Sequence, residues 1–455
     1  LAAAPLAVGL AGQPILVTPL PTRLNLNGST VVGGHLITLG GDATEGFSPK
    51  SYVAPINLDR TLGAWREDRP LPYNLIYLGN SVLTVSGSLY VCGGQQVKDI
   101  PGGSTYDKQP HRYVLHAPVG SDGSIAEWKR STEWSEVGSV GAAAVTDQRN
   151  LYMLGGNAAT EEGSGVTNAV CYAPILSDGK LGSWVAGRSM PKGLIFHSAY
   201  FHNGSIYVVG GRIALSEDAV SDGVYSVVVN DDGSLGEWQT SAQKLAYPVN
   251  GASACAADDF LFLFCGRTLK GELVERIQYS KLTLTGISEW RAVDTTITSR
   301  YYSSAAIDLT RRAVYIVGGR RSTNFQDTNS DVFCYPLVAK AAAPAAIPGG
   351  SAGFLPFEAA RAKAQAEGKN LFVFAYSSQI DMSREALARF EGSAEFKTPH
   401  ERTIYSSLDI SNSPKAVRDL GIMRVPSYVV FDAAGRILAK ESGIKAPSVI
   451  RKLIE

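Results

Sequence analysis

The sequence predicts a two-domain chain, an all-β propeller of six blades followed by a small α/β domain, and three observations predict it. One pattern recurs six times between residues 30 and 340: an apolar strand ending in a glycine pair, a second strand, an Asp-Gly-type turn and a tryptophan. The pairs are Gly40-Gly41, Gly93-Gly94, Gly155-Gly156, Gly210-Gly211 and Gly318-Gly319, with Cys265-Gly266 the degenerate member. Their second glycines lie 53, 62, 55, 55 and 53 residues apart, a period that belongs to repeat architectures. The other two observations are that each copy but the last supplies four strands, and that strand alternation stops after Val338.

At the N-terminus, residues 1–12 are an apolar arm, too short to span a bilayer. The arm starts at Leu1, reads as the product of secretory processing, and points to an extracytoplasmic protein. The propeller follows over 13–338. Its fourth copy shows the unit: Ser205–Val209 runs into Gly210-Gly211, Val224–Asn230 is a second strand, Asp231-Asp232-Gly233-Ser234 is a tight turn, and Trp238 marks the outer strand. Four antiparallel strands per copy make one blade. Trp65, Trp128, Trp184, Trp238 and Trp290 mark five outer strands, but the sixth copy has none. Residues 14–20 resemble the stretch that follows Trp65 and are expected to supply that missing strand, closing the ring and removing an exposed sheet edge.

The repeated glycine pair with downstream Tyr and Trp resembles the Kelch-type β-propellers, over about 325 residues. The usual close Tyr-to-Trp spacing is opened here by a turn such as Ser177-Asp178-Gly179-Lys180 between Tyr172 and Trp184, which is similar to bacterial extracytoplasmic members. The resemblance implies a fold and leaves function open, since such propellers serve as sugar isomerases, oxidases and binding scaffolds.

Residues 339–352, rich in Ala, Pro and Gly, read as a linker. In 353–455, strands and helices alternate: helix 356–368, strand 371–376, helix 382–390, strand 403–408, helix 415–420, strand 427–431, a turn at Ala434-Gly435, strand 436–440 and helix 447–454. This order, with Arg424-Val425-Pro426-Ser427 ahead of a strand, resembles thioredoxin. Where that family places C-x-x-C, this chain has Ser377-Ser378-Gln379-Ile380-Asp381, and the domain contains no cysteine. Serine cannot sustain thiol–disulfide exchange, so the domain is expected to be redox-dead. The resemblance leaves it a peptide-docking edge beside Val425 and Pro426.

Residues just after the glycine pairs, Asp42, Gln95, Asn157, Arg212, Arg267 and Arg320, occupy equivalent places, so three consecutive blades offer arginine to one arc of the channel rim. Arg321 lengthens that arc, and the blade-entry segments add Tyr73-Asn74, His197, Asn250 and Arg300-Tyr301-Tyr302. Guanidinium forks suit a carboxylate, and aromatic rings stack on sugars.

No cofactor and no metal site is expected. Five cysteines lack metal spacing and read as buried thiols, and the six histidines lack the register that copper radical oxidases of this class need. The Asp-Gly pairs are turns rather than calcium loops. With 42 basic and 42 acidic residues, no global field draws the chain to nucleic acid, and no segment is long enough for a membrane span. Without a catalytic constellation, the first expectation is a non-catalytic scaffold or subunit of a larger assembly with protein partners. Its alternative is a propeller that binds or acts on an acidic glycan, similar to sialic-acid mutarotases.

Overall fold

A computed structural model describes residues 10–99, 106–134, 137–160, 163–283, 286–298, 300–322, 327–338, 354–378, 380–397, 400–412, 420–422 and 424–454. The chain forms two compact units with their main boundary between Ala339 and Lys340.

The first unit is mostly strand. Its first sheet runs outward through Gly28–Val32, His35–Leu39, Ser51–Pro55 and Arg66–Asp68, each pair antiparallel. Five more sheets repeat that order, with inner strands Val82–Val85, Ala143–Thr146, Ser198–His202, Ser253–Ala257 and Ser304–Asp308, the fifth blade setting both Gly286–Ile287 and Arg291–Asp294 outside Arg276–Thr283. Each inner strand touches the next, and the sixth touches the first, so the sheets stand as blades in a closed ring.

Period-2 alternation decides what holds the blades together, because successive side chains of a strand face opposite neighbours. In the first blade Leu36 and Ala54 pack with Ala313, Tyr315 and Val317 of the sixth. Ile37, Leu39 and Val53 turn the other way and pack with Leu89, Val91 and Leu115 of the second. Each fully buried aliphatic side chain contributes roughly 1.5–3 kcal/mol, so such an interface is a small core.

The glycine pairs weld blade to blade. The N–H of the second glycine donates to a carbonyl at the entry of the next blade: Gly41 to Leu75, Gly94 to Ser139, Gly156 to Leu194, Gly211 to Val249, Gly266 to Arg300 and Gly319 to Leu24, at 2.8–3.0 Å. The last of these joins the sixth blade to the first. The first glycine has φ between +58° and +71°. A Cβ on Gly40, Gly155 or Gly210 would stand 2.6–2.7 Å from that same carbonyl oxygen, and on Gly318 closer still to Leu24 O. Cys265 alone carries a side chain in this place, at φ 56°.

The sixth sheet has the order Ile15–Leu16, Val332–Pro336, Ala313–Val317, Ser304–Asp308. Ile15 faces Cys334 and Leu16 faces Phe333, and the pairing reaches back to a bridge between Leu10 and Leu337. Tryptophan then ties this strand to the first blade. The Trp184 indole donates to Thr132 O and that of Trp238 to Arg188 O, each acceptor two residues past the outer strand of the preceding blade. Trp65 donates at 3.0 Å to Thr18 O, two residues past Leu16. The N-terminal segment thus holds the geometric place that Lys129–Arg130 and Val185–Ala186 hold elsewhere.

The second unit is a five-stranded sheet in the order Phe354–Pro356, Thr403–Asp409, Asn370–Tyr376, Ser427–Phe431, Ile437–Ser442. The first three are parallel and the last two antiparallel. Alternation again sorts its two faces. Phe372 and Phe374 join Phe390, Phe396, Tyr405 and Tyr428. Leu371 and Val373 instead join Ala360, Ala364 and Val429, beneath helix Phe357–Glu367. Helix Asp381–Glu391 follows the central strand, and the Val425–Pro426 peptide is cis. The helix expected at 415–420 falls on residues outside those described, apart from its last.

If contact with the next blade is what requires glycine, position decides the cost of a methyl group. Gly318→Ala is expected to lose about 3 kcal/mol or more, from left-handed strain plus collision with backbone. Gly33→Ala, at φ +55° with nothing near its Cβ, should lose only about 1 kcal/mol. Urea midpoints of the two variants compare these losses, and equal losses would refute the weld.

Candidate functional site

Each blade enters its inner strand through three residues: Leu24-Asn25-Leu26, Leu75-Ile76-Tyr77, Ser139-Val140-Gly141, Leu194-Ile195-Phe196, Val249-Asn250-Gly251 and Arg300-Tyr301-Tyr302. The first accepts the glycine hydrogen bond of the preceding blade. The second pairs with the residue after its own glycine pair: Asn25 with Asp42, Ile76 with Gln95, Val140 with Asn157, Ile195 with Arg212, Asn250 with Arg267 and Tyr301 with Arg320. The third has φ between +54° and +65° in all six blades and faces the axis.

Around the axis these third residues are joined through their backbones. Leu26 N–H donates to Tyr302 O, Tyr302 to Gly251 O, Gly251 to Phe196 O, Phe196 to Gly141 O, and Leu78 to Leu26 O, at 2.8–3.1 Å. Alternate blades carry a ring. Tyr77, Phe196 and Tyr302 meet with centroids 5.1, 5.3 and 5.6 Å apart, closing the channel with an aromatic floor. Two of the intervening blades carry glycine, and a Cβ there would strike the rings: 2.7 Å from Phe196 Cδ1 for Gly141, 3.0 Å from Tyr302 Cε1 for Gly251. On the inner-strand side of the floor lies a cavity of about 30 Å³, room for one water.

Pairing of the post-glycine residues brings the arginines onto this floor. Arg212 is 8% exposed, its guanidinium 4.9 Å from the Phe196 centroid. Arg267 lies 5.9 Å from the Tyr301 ring and bonds Glu217 at 2.8 Å. Gly271 makes room, since a Cβ there would stand 2.5 Å from Arg267 Nη2. Arg320, buried, lies 5.9 Å from the rings of both Tyr301 and Tyr302. It donates to Asn25 Oδ1 at 2.7 Å, with Asp42 Oδ2 3.7 Å away. Across the mouth, the first three blades raise hairpins instead: Asp42–Ala43 with Gly46–Phe47, Gln95–Asp99 with Tyr106–Pro110, and Asn157–Thr160 with Gly163–Val166.

Other residues expected at the rim go elsewhere. Arg300 is fully buried and donates to Gly318 O, Thr298 Oγ1 and Asn329 Oδ1, over the Phe333 ring. Arg321 is exposed and paired with Asp331. Tyr73 packs against His111 within the blade, and the residue that reaches the axis is Tyr77, four positions on. The sequence reading also missed Phe196 and Glu217. The axial position lies 15 to 17 residues before each second glycine, and that count would have found Tyr77 and Phe196. In the second unit Val425 and Pro426 are both buried, and the Pro426 carbonyl accepts from Gly443.

Burial pushes the Tyr77 phenol above its ordinary range, although Arg320 and Arg212 pull it back, and burial raises Tyr302 likewise. Both are neutral donors near neutral pH. The hydrogen bond from Arg267 holds Glu217 below the usual carboxylate range. Positive forks thus lie over aromatic faces and are bordered by neutral hydroxyls. Among the described residues no group of three His, Cys, Asp or Glu is placed to hold a metal ion. All five cysteines are buried and unbridged.

No family model matches the chain. It is similar to spermatocyte protein spe-26 of Caenorhabditis elegans, 25% identical over 256 residues, which is 56% of this chain and 39% of that protein. The chain thus spans well under half the length of that relative. Among solved structures it is similar to YjhT, at 12% identity and TM-score 0.55, covering 71% of this chain and 98% of YjhT. That likeness is one of fold and supports a Kelch-like propeller.

Two histidines near these elements give a pH signature. Burial lowers the pKa of His197, next to Phe196, to about 4; burial, with Arg130 adding to it, lowers His111 to about 4. The folded rings stay neutral while unfolded ones protonate near 6.5, so this stability is complete above that pH and is lost as pH falls toward 4. Urea denaturation at pH 7 and pH 4.5 is expected to differ by on the order of 2 kcal/mol per histidine. The His111→Gln, His197→Gln double variant should flatten the dependence.

Proposed function

We propose that the propeller binds a small acidic sugar at the channel mouth. The observation that carries this reading is the convergence of Arg212, Arg267 and Arg320 on the aromatic rings of Tyr301, Tyr302 and Phe196. Guanidinium groups recognise a carboxylate through directed hydrogen bonds, and ring faces receive the C–H face of a sugar. The aromatic floor stops such a ligand at the mouth. Binding rather than turnover is the reading that these contacts support. It fits the glycan alternative of the sequence analysis better than a scaffold role for this face.

For the second unit we propose a thioredoxin-like docking role without redox chemistry. Support comes from the strand order, from Pro426 immediately ahead of strand Ser427–Phe431, and from the serine at the expected cysteine position. Ser377 is buried and its hydroxyl is bonded to that of Ser411 at 2.7 Å. Insulin reduction by the whole protein should not exceed the buffer rate, and sustained turnover would overturn this part.

Calorimetric titration tests the propeller reading. Glucuronate is expected to bind saturably and glucose not. Arg267→Ala should weaken glucuronate about ten-fold or more, the loss of one charge-assisted hydrogen bond. Absence of glucuronate binding, or equal affinity for glucose, overturns the reading.

A further inference from the structure

The three arginines at the mouth are not equivalent. Arg267 is bonded to the Glu217 carboxylate, which reaches across from the loop of the preceding blade. Arg320 is held by Asn25 with Asp42 beside it, so a second carboxylate faces a second guanidinium. Arg212 is different. Its backbone is fixed on both sides, bridged to Ile195 and Val220, and its guanidinium rests on the Phe196 ring. Among the described residues no carboxylate forms an ion pair with it, and its Nη1 reaches only Leu215 O, at 3.4 Å. Its Nε is buried without a hydrogen-bond partner, as is Arg267 Nε, so the missing ion pair is what sets Arg212 apart.

Charge counting then sets the ligand. Among the described residues two of the three guanidinium groups are ion-paired with a carboxylate, and Arg212 is the one without such a pair, its charge felt by Glu217 only at longer range. Arg300 and Arg321 do not alter the count at the floor, since both lie beside Asp331 and neither stacks on Tyr77, Phe196, Tyr301 or Tyr302. We infer that Arg212 is the anion anchor of this site and that the site is built for a single negative charge, a sugar monocarboxylate in preference to a dicarboxylate or a phosphate dianion. A second negative group would meet Glu217 or Asp42, and the like-charge contact acts as a selectivity filter. This inference rests on the proposed binding of an acidic sugar at the mouth and adds its charge and its anchor.

Glucuronate and the open-chain dianion glucarate, titrated into the whole protein and into Glu217→Gln, separate the possibilities, because that variant alters the charge at the site and not the requirement for a sugar ring. Glucuronate is expected to bind about ten-fold or more tightly than glucarate, and Arg212→Gln to weaken it by at least as much. Glu217, 65% exposed, can be changed without a packing cost, and Glu217→Gln should close most of the gap by tightening glucarate about ten-fold. If glucarate binds the unaltered protein as tightly as glucuronate, or if Glu217→Gln leaves the gap unchanged, the single-charge inference is overturned while the acidic-sugar reading stands. If neither sugar acid binds, both fail together.

Discussion

The architecture depends on one hydrogen bond repeated six times, from the second glycine of each pair to the entry carbonyl of the next blade. Core packing alone would allow neighbouring sheets to slide, since apolar contact is not directional. A backbone donor fixed against a backbone acceptor does not slide. The bond is short because the first glycine lacks the atom that would hold the two chains apart, and the same contact aligns each entry segment with the axis. Ring closure, channel width and the position of every residue at the mouth follow from it.

The site is a by-product of that alignment. Once the entry segment is gripped by the preceding blade on one side and by its own post-glycine residue on the other, the third residue is turned inward with a left-handed backbone. Six such turns meet at the axis, where space is scarce, and large rings in alternate blades are relieved by glycines between them. The arginines gain their aromatic bed from this packing. What the mouth presents is therefore set by which side chains fill a constant geometry, and the first three blades fill it with hairpins instead.

Much of the fold was legible because its devices permit few residue types. The glycine pairs were readable since Leu75, Leu194 and Val249 carbonyls leave no room for a Cβ, and the strand faces since Leu36 and Ile37 must point apart. The arginine arc was readable by the same register. What escaped depends on contacts between distant segments. Nothing in the sequence says that Arg300 turns into the wall toward Asn329, or that Glu217 crosses to Arg267. Tyr73 was favoured over Tyr77 because a left-handed tyrosine has no local signature. In the second unit, strands 371–376 and 427–431 were visible as apolar runs, whereas the burial of Val425 and Pro426 depends on what packs around them.

The bond from Trp65 to Thr18 has a consequence for the birth of the molecule. Ile15 leaves the ribosome more than three hundred residues ahead of Cys334, the partner it must face. Through that interval the opening strand stays without its sheet, and the nascent first blade presents a flank that only the sixth will cover. Blades two to five can consolidate as they emerge, each against its predecessor, but the circle is sealed by an encounter between the two ends of a long polymer. Such distant pairings are slow to form. Until the two ends meet, a blade flank at each end lacks its cover, and the exposed apolar Ile15 and Leu16 belong to the segment that completes the ring.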